Sequence, residues 1–196
     1  TPRFTVQFVI RPQTEELHDY RGYAGKILSG VYNVGDSVTV LPSGKTSRIS
    51  RLEHNLSPVQ QAYAPQSIIM HLEDDVDISR GDVIAHSSNT PKVANELEVL
   101  LCWMDEKPLI PGNKYLLQLN STRVRAVVRS IAYKVDVNTL EHHNLQGPVV
   151  LNDVVRATLK TAAPLPHDAY DTLRVNGGAI LIDETSHLTV AACMIQ

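Results

Sequence analysis

The sequence predicts an all-β protein of two antiparallel-sheet domains, and three observations predict it. Short runs alternating apolar and polar residues fill the chain, each about four to eight residues long. Glycine, proline, asparagine and aspartate interrupt these runs at regular spacing. No long stripe of 3.6-residue period, which an amphipathic helix needs, occurs anywhere. Evenly spaced strands with turn residues between them favour a closed or sandwiched antiparallel sheet.

The elements follow in order. Phe4-Thr5-Val6-Gln7-Phe8-Val9-Ile10 opens with Phe4, Val6 and Phe8 on one face. Gly25 to Gly30 brackets a short strand. Ser37 to Leu41, the turn Pro42-Ser43-Gly44 and Lys45 to Leu52 read as a hairpin. Val59 to Tyr63, Ser67 to Leu72 and Asp82 to His86 follow. Val34-Gly35-Asp36 and Arg80-Gly81-Asp82 each precede a strand. Glycine permits positive φ there, and aspartate can bond its own turn backbone. The polar stretch Ser87-Ser88-Asn89-Thr90-Pro91 marks the expected domain break, giving domains over 1–90 and 91–196. Beyond it lie Ala94 to Trp103, Lys114 to Leu119, Thr122 to Val137, Asp153 to Thr161, Ala179 to Asp183 and Leu188 to Ile195. The nearest helical candidate, Val93 to Leu101, reads better as a strand because turn signals flank it.

The 196 residues suffice for a core without staples. Apolar residues are 43% and charged residues 20%, ordinary globular usage. The 18 Lys+Arg and 21 Asp+Glu give −3, so charge offers no reason to expect a nucleic-acid partner. No apolar run approaches the about 18 residues of a membrane helix, so no membrane partner is expected. Cys102 and Cys193 cannot make a disulfide framework, and a reduced, cytoplasmic protein is the simpler reading. The chain does not begin with Met, which reads as a fragment or a processed form.

The tempting chemistry resolves into bland structure. Gly44-Lys45-Thr46 resembles the end of a phosphate loop, but Thr39 stands where the first glycine is needed and strands flank it. Glu73-Asp74-Asp75-Val76-Asp77 lacks the spacing of a calcium loop and reads as a solvated loop or strand end. His142-His143 has no third ligand at useful spacing and reads as an exposed loop. Cys102, beside Leu101 and Trp103, and Cys193 in an apolar strand read as structural thiols. Arg80-Gly81-Asp82 spells an adhesion tripeptide, a poor reading for a cytosolic chain. Asn55-Leu56-Ser57 and Asn120-Ser121-Thr122 match the glycosylation sequon, which matters only in a secreted protein. Neither Gly-x-Ser-x-Gly nor Gly-x-Gly-x-x-Gly occurs. No catalytic residue and no metal ligand is assigned.

Several segments resemble a known family. Phe4 to Pro12, Asp19-Tyr20-Arg21-Gly22-Tyr23-Ala24-Gly25-Lys26-Ile27-Leu28-Ser29-Gly30, Val34-Gly35-Asp36 and Val40-Leu41-Pro42-Ser43-Gly44 resemble the second domain of translation-factor-like GTPases. The version with Arg-Gly-Tyr-Ala-Gly and Leu-Pro-Ser-Gly is similar to the GTPase subunit of bacterial sulfate adenylyltransferase. Asp77 to Asp82 continues the likeness. Trp103 to Gly112, Tyr115-Leu116-Leu117, Tyr133 to Leu140, Gly178 to Thr185 and Thr189 to Ala192 resemble that subunit's third domain, in the same order. Two departures stand out. Ala64-Pro65-Gln66 replaces a usual Ala-Gly-Glu, so that turn must differ or sit at an edge. Cys193 replaces a usual glycine and is strained if the position needs positive φ.

The resemblance implies two antiparallel β-barrels, domain II-like and domain III-like, of a longer GTPase whose GTP-binding domain would lie upstream and carry GTP and Mg. No cofactor is expected on this chain. The partners implied are that upstream GTPase domain and a catalytic ATP-sulfurylase subunit. The activity implied is formation of adenosine 5′-phosphosulfate and pyrophosphate from ATP and sulfate, coupled to GTP hydrolysis, with the barrels serving coupling and docking. The alternative is a fragment of an elongation-factor-like GTPase that binds charged tRNA; a stand-alone enzyme lacks a catalytic constellation. Tyr20, Arg21 and Tyr23 are the docking candidates, against the reading that both tyrosines pack the barrel mouth. Gly22, Gly25, Gly30, Gly35 and Gly81 are assigned to backbone turns.

Overall fold

The computed structural model describes residues 1–11 and 20–196. Pro12 and Asp19, which belong to the motif set above, lie outside the described residues. The chain divides into two compact units, Thr1–Pro91 and Lys92–Gln196.

The first unit holds β1 (Arg3–Ile10), β2 (Gly22–Ser29), β3 (Val31–Asn33), β4 (Ser37–Leu41), β5 (Lys45–His54), β6 (Ser57–Val59), β7 (Gln61–Tyr63), β8 (Ser67–Leu72) and β9 (Val83–His86). Its strands run in the order β4-β9-β1-β2-β8-β5, and pairing of β4 with β5 closes the ring. β6 is appended to β5, and β3 pairs β7 in a small separate ladder. The second unit holds β10 (Lys92–Trp103), β11 (Lys114–Leu119), β12 (Thr122–Val135), β13 (His142–His143), β14 (Val154–His167), β15 (Gly178–Asp183) and β16 (Thr189–Ile195). Its ring runs β11-β15-β16-β10-β14-β12, closed by β11 on β12, with β13 appended to β12. All these pairings are antiparallel. The fold is therefore all-β with two closed six-stranded barrels. The helical content among the described residues is one 3-10 turn over Arg174–Asn176.

Alternation along each strand sends one set of side chains inward. Phe4, Tyr32, Ile49, Met70 and Ile84 fill the first barrel. Trp103, Leu117, Leu159 and Leu181 fill the second. Burial of each such side chain stabilises the fold by about 1.5–3 kcal/mol. The polar ends of the buried aromatics find acceptors. Trp103 Nε1 donates to the Lys107 carbonyl at 2.8 Å, and the Tyr32 hydroxyl to the Ile84 carbonyl at 2.6 Å.

One turn recurs at three strand entries. Asp36 Oδ2 accepts the Asn33 N–H at 2.7 Å, Asp82 Oδ2 that of Ser79 at 3.0 Å, and Asp153 Oδ2 that of Val150 at 2.9 Å. Each aspartate N–H donates back to the carbonyl of the same residue. The preceding residue has positive φ: 94° at Gly35, 93° at Gly81 and 71° at Asn152. Val34-Gly35-Asp36 and Arg80-Gly81-Asp82 are thus instances of one device, and Leu151-Asn152-Asp153 is a third that the residue types concealed.

Several expectations change. Phe8 does not share a face with Phe4 and Val6. Val6 pairs Gly25 and Phe8 pairs Ala24, so Gln7 is an inserted residue, a β-bulge. Phe8 turns outward at 64% exposure, and Val9 packs on the core instead. β14 runs on to His167, through Pro164 and Pro166, well past Thr161. His142-His143 forms a two-residue strand on β12 rather than a loop. Gly22 and Gly25 lie inside β2 rather than in turns. A Cβ on Gly25 would stand 2.0 Å from the Thr5 carbonyl oxygen, so the absence of a side chain there lets β1 and β2 close. Cys193 sits extended in β16 without positive φ, so it carries no backbone strain. Pro65 follows β7 in a tight turn in which Gln66 N–H donates to the Tyr63 carbonyl at 2.9 Å.

Candidate functional site

The docking candidates meet at a cleft of about 420 Å³ on the first barrel, lined by Arg11, Tyr20, Arg21, Tyr23, Arg51 and His71 among others. β2 and β8 are adjacent strands with Tyr23 opposite Met70, which brings the start of β2 beside His71. β5 lies on the far side of β8 with Arg51 opposite His71. Glu53, two residues on, reaches back across β8.

Glu53 is the hub. Its side chain is 12% exposed and that of His71 10%. Glu53 Oε2 accepts from the Tyr20 hydroxyl at 2.9 Å and faces His71 Nε2 at 2.6 Å. Its Oε1 accepts from Arg51 Nη2 at 3.2 Å. His71 Nδ1 lies 3.1 Å from the Arg21 carbonyl. Both imidazole nitrogens thus face oxygen acceptors. The Tyr20 ring stands edge-on to His71 with centroids 4.8 Å apart. Burial works to raise the Glu53 carboxyl. Hydrogen bonds from His71 and Tyr20, and then the charges of His71 and Arg51, outweigh it and hold the group below the ordinary carboxylate range.

The three candidates divide. Tyr20 is half-buried, and Arg21 is half-buried and ion-paired with Asp75. Tyr23 is 1% exposed, and its hydroxyl donates to the Val76 carbonyl at 3.1 Å. Its ring belongs to the core and forms the floor of the cleft. Burial raises the Tyr23 hydroxyl, while Arg21 and Arg11 nearby work against the rise. Reasoning from sequence missed Glu53 and His71. The available signal was a histidine interrupting the apolar run Ile68-Ile69-Met70-His71-Leu72, since a buried imidazole needs partners.

The remaining motifs find structural places. Gly44 and Lys45 form the tip of the β4–β5 hairpin, with strand β5 following where a phosphate loop needs a helix. Asp74 accepts from the Ser47 hydroxyl at 2.8 Å. Among the described residues, no group of three or more His, Cys, Asp and Glu stands close enough to hold a metal ion. Asn55 and Leu56, at φ 52° and 66°, make the β5–β6 turn, and Asn120 at 53° makes the β11–β12 turn. Burial pushes the Cys193 thiol up to about 12, while Cys102 is only half-buried. Among the described residues, no helix is long and apolar enough to cross a membrane.

Comparison with known proteins adds to this geometry. Residues 96–196 match the family model described as GTP-eEF1A C-terminal domain-like. A bifunctional enzyme CysN/CysC of Mycobacterium tuberculosis (strain ATCC 25618 / H37Rv) is 43% identical over 194 residues, covering 98% of this chain and 32% of that protein. Sulfate adenylyltransferase subunit 1 of Shewanella oneidensis is 43% identical over 197 residues, covering 98% of this chain and 40% of that protein. The chain thus spans well under half the length of the curated relatives it matches. Among solved structures, sup35 complexed with GDP aligns at a TM-score of 0.85 and 14% identity, covering all of this chain and 47% of that one. Elongation factor SelB of Methanococcus maripaludis aligns at 0.77 and 17%, covering all of this chain and 42% of that one. At such identities these two speak for the fold alone.

Proposed function

The chain belongs to the GTP-eEF1A C-terminal domain-like family, and from that membership we propose that it is the β-barrel portion of the GTPase subunit of a sulfate adenylyltransferase. The observation that carries this reading is identity near 40%, sustained over 98% of the chain, to proteins named sulfate adenylyltransferase subunit 1 and CysN/CysC. In the assembled enzyme, the full-length protein hydrolyses GTP while its partner subunit joins ATP and sulfate into adenosine 5′-phosphosulfate and pyrophosphate. That mixed anhydride is uphill to form, and GTP hydrolysis on an upstream domain, with Mg, helps to drive it. The catalytic residues lie in a separate ATP-sulfurylase subunit, so the working unit is a cytoplasmic heterodimer. The two barrels supply no reacting group; they transmit the nucleotide state of the upstream domain by rigid-body repacking and provide docking surface.

Two features support a relay role rather than catalysis on this chain. The strongest polar cluster, around Glu53, satisfies its own members. Three of the four basic residues of β12 are also ion-paired: Arg125 with Glu184 at 3.1 Å, Arg129 with Glu96 at 3.1 Å, and Lys134 with Asp153 at 2.8 Å, while Arg123 Nε donates to Gln118 Oε1 at 2.7 Å. Paired charges of this kind present no clear track for tRNA phosphates, which weighs against the elongation-factor alternative.

The test uses the full-length protein with its purified ATP-sulfurylase subunit. GTP-stimulated formation of adenosine 5′-phosphosulfate is expected with the intact protein and lost when the barrels are deleted. Undiminished stimulation without them, or salt-dependent tRNA binding in place of it, would overturn the reading.

A further inference from the structure

The bulge in β1 does more than bend a strand. Inserting Gln7 between Val6 and Phe8 reverses the direction of Phe8, turning a large aromatic out of the barrel at 64% exposure. That exposure forgoes the burial a large aromatic side chain ordinarily gains. A bulge that re-aims a side chain at such expense is a device often found beside functional sites.

The bulge is also braced. Gly81 N–H donates to the Val6 carbonyl at 2.8 Å, and Val6 N–H to the Asp82 carbonyl at 2.9 Å. Arg80 Nη1 lies 3.2 Å from the carbonyl of the inserted Gln7. The Arg80-Gly81-Asp82 turn therefore holds the irregular backbone in place and sets an exposed guanidinium beside Phe8. Phe8, Ile10, Ile78 and Arg80, together with Asp77, line a shallow depression of about 680 Å³. Arg11 lines the same depression. An aromatic sharing a depression with two arginines is the composition of an interface anchor.

We infer that the Gln7 bulge presents Phe8, in a depression it shares with Arg11 and Arg80, as the anchor for a partner polypeptide that brings a carboxylate beside an apolar side chain. Resting on the function proposed above, that partner is the catalytic ATP-sulfurylase subunit. The charges select among occupants. Among the described residues that line the depression, two arginines against one aspartate leave a cationic excess, so an acidic segment complements it. A second copy of this chain, docked through the same face about a two-fold axis, would set that cationic excess against itself. Single-stranded nucleic acid needs a basic groove that follows its backbone, and two arginines interrupted by Asp77 do not form one.

The test measures binding between the purified full-length protein and the purified catalytic subunit. Phe8→Thr keeps a good strand former at an outward position, and Arg11→Glu reverses an exposed charge beyond the strand end. Each variant is expected to weaken binding roughly tenfold or more, as loss of an interface anchor does. Wild-type affinity should fall as salt rises, and Arg11→Glu should flatten that dependence. An unchanged thermal midpoint in either variant shows that the loss is not unfolding. Wild-type protein that fails to bind the catalytic subunit would overturn the functional reading itself. Wild-type binding that both variants retain in full would leave that reading standing and overturn this inference. Self-association, or retention of a single-stranded RNA oligomer, that Phe8→Thr abolishes would overturn it in favour of a different occupant.

Discussion

At the scale of single residues, the first barrel's cleft turns on one carboxylate. Glu53 is held below the ordinary carboxylate range because what it gains from His71 and Tyr20 exceeds what burial costs. A carboxyl lowered on folding stabilises the protein above its unfolded value and loses that contribution as pH falls through the folded value. Glu53→Gln should therefore lower stability near neutral pH by about 1–3 kcal/mol, the usual worth of a charged hydrogen bond. The gap between wild type and variant should close as pH drops below about 4, the carboxylate range. Thermal melts across that window check it, and a gap that does not depend on pH would refute it. The two thiols offer a second test. Cys193 is buried, with its thiol pushed up to about 12, so a thiol reagent at pH 8 should leave it untouched in the folded protein and label it only on unfolding. Mass spectrometry of labelled peptides reads this directly, and rapid native labelling of Cys193 would contradict it. Tyr20 was singled out from the residues, but its cluster with Glu53 and His71 was not, because the three meet only through the pairing of β2, β8 and β5. Tyr23 reads as either a docking or a core residue on paper, and only its 1% exposure places it in the core.

At the scale of elements, one turn in two electrostatic settings makes a paired prediction. Asp153 and Asp82 cap identical turns, yet their carboxyls shift in opposite directions. Burial works to raise Asp153, but Lys134 at 2.8 Å and the Val150 N–H overcome it and lower the group. Burial raises Asp82, the Ser79 N–H only partly opposes it, and Asp77 adds to the rise. The raised group favours its protonated form in the folded state, so its contribution to stability declines as pH rises through the carboxylate range. Asp153→Asn should thus cost about 1 kcal/mol at neutral pH, whereas Asp82→Asn keeps its acceptor, sheds the desolvated charge and should cost less. Denaturant unfolding of both variants decides it, and an equal loss from each would sink the comparison. Two of the three turns could be read because glycine fills the positive-φ position. The third could not, since Asn152 takes that role. The alternation of β1 misled at Phe8 because one inserted residue flips every side chain after it. β14 was read too short because prolines signal a break. Beyond Thr161 it is paired by β10 but no longer by β12, and an edge tolerates residues that lack an N–H.

At the scale of the whole molecule, each barrel has its own apolar core and closes its own ring. Fragments 1–91 and 92–196 should each unfold in a single cooperative transition, seen by calorimetry or denaturant melts. A fragment without cooperative unfolding would show that its core depends on the other unit. The class of fold was plain in the sequence because alternation and turn chemistry are local. Closure was not, because the joins between β4 and β5 and between β11 and β12 are questions of which neighbour is left once every other strand has paired.

That closure decides how the folded protein meets its own kind in a crowded solution. A sheet with a long bare margin is a template on which further chains can stack. Among the described residues, the strands outside the rings are two or three residues long, and β6 carries Pro58, which cannot extend a ladder. Fibrillar growth would first have to pry a ring apart, so precipitation on heating should follow unfolding rather than precede it.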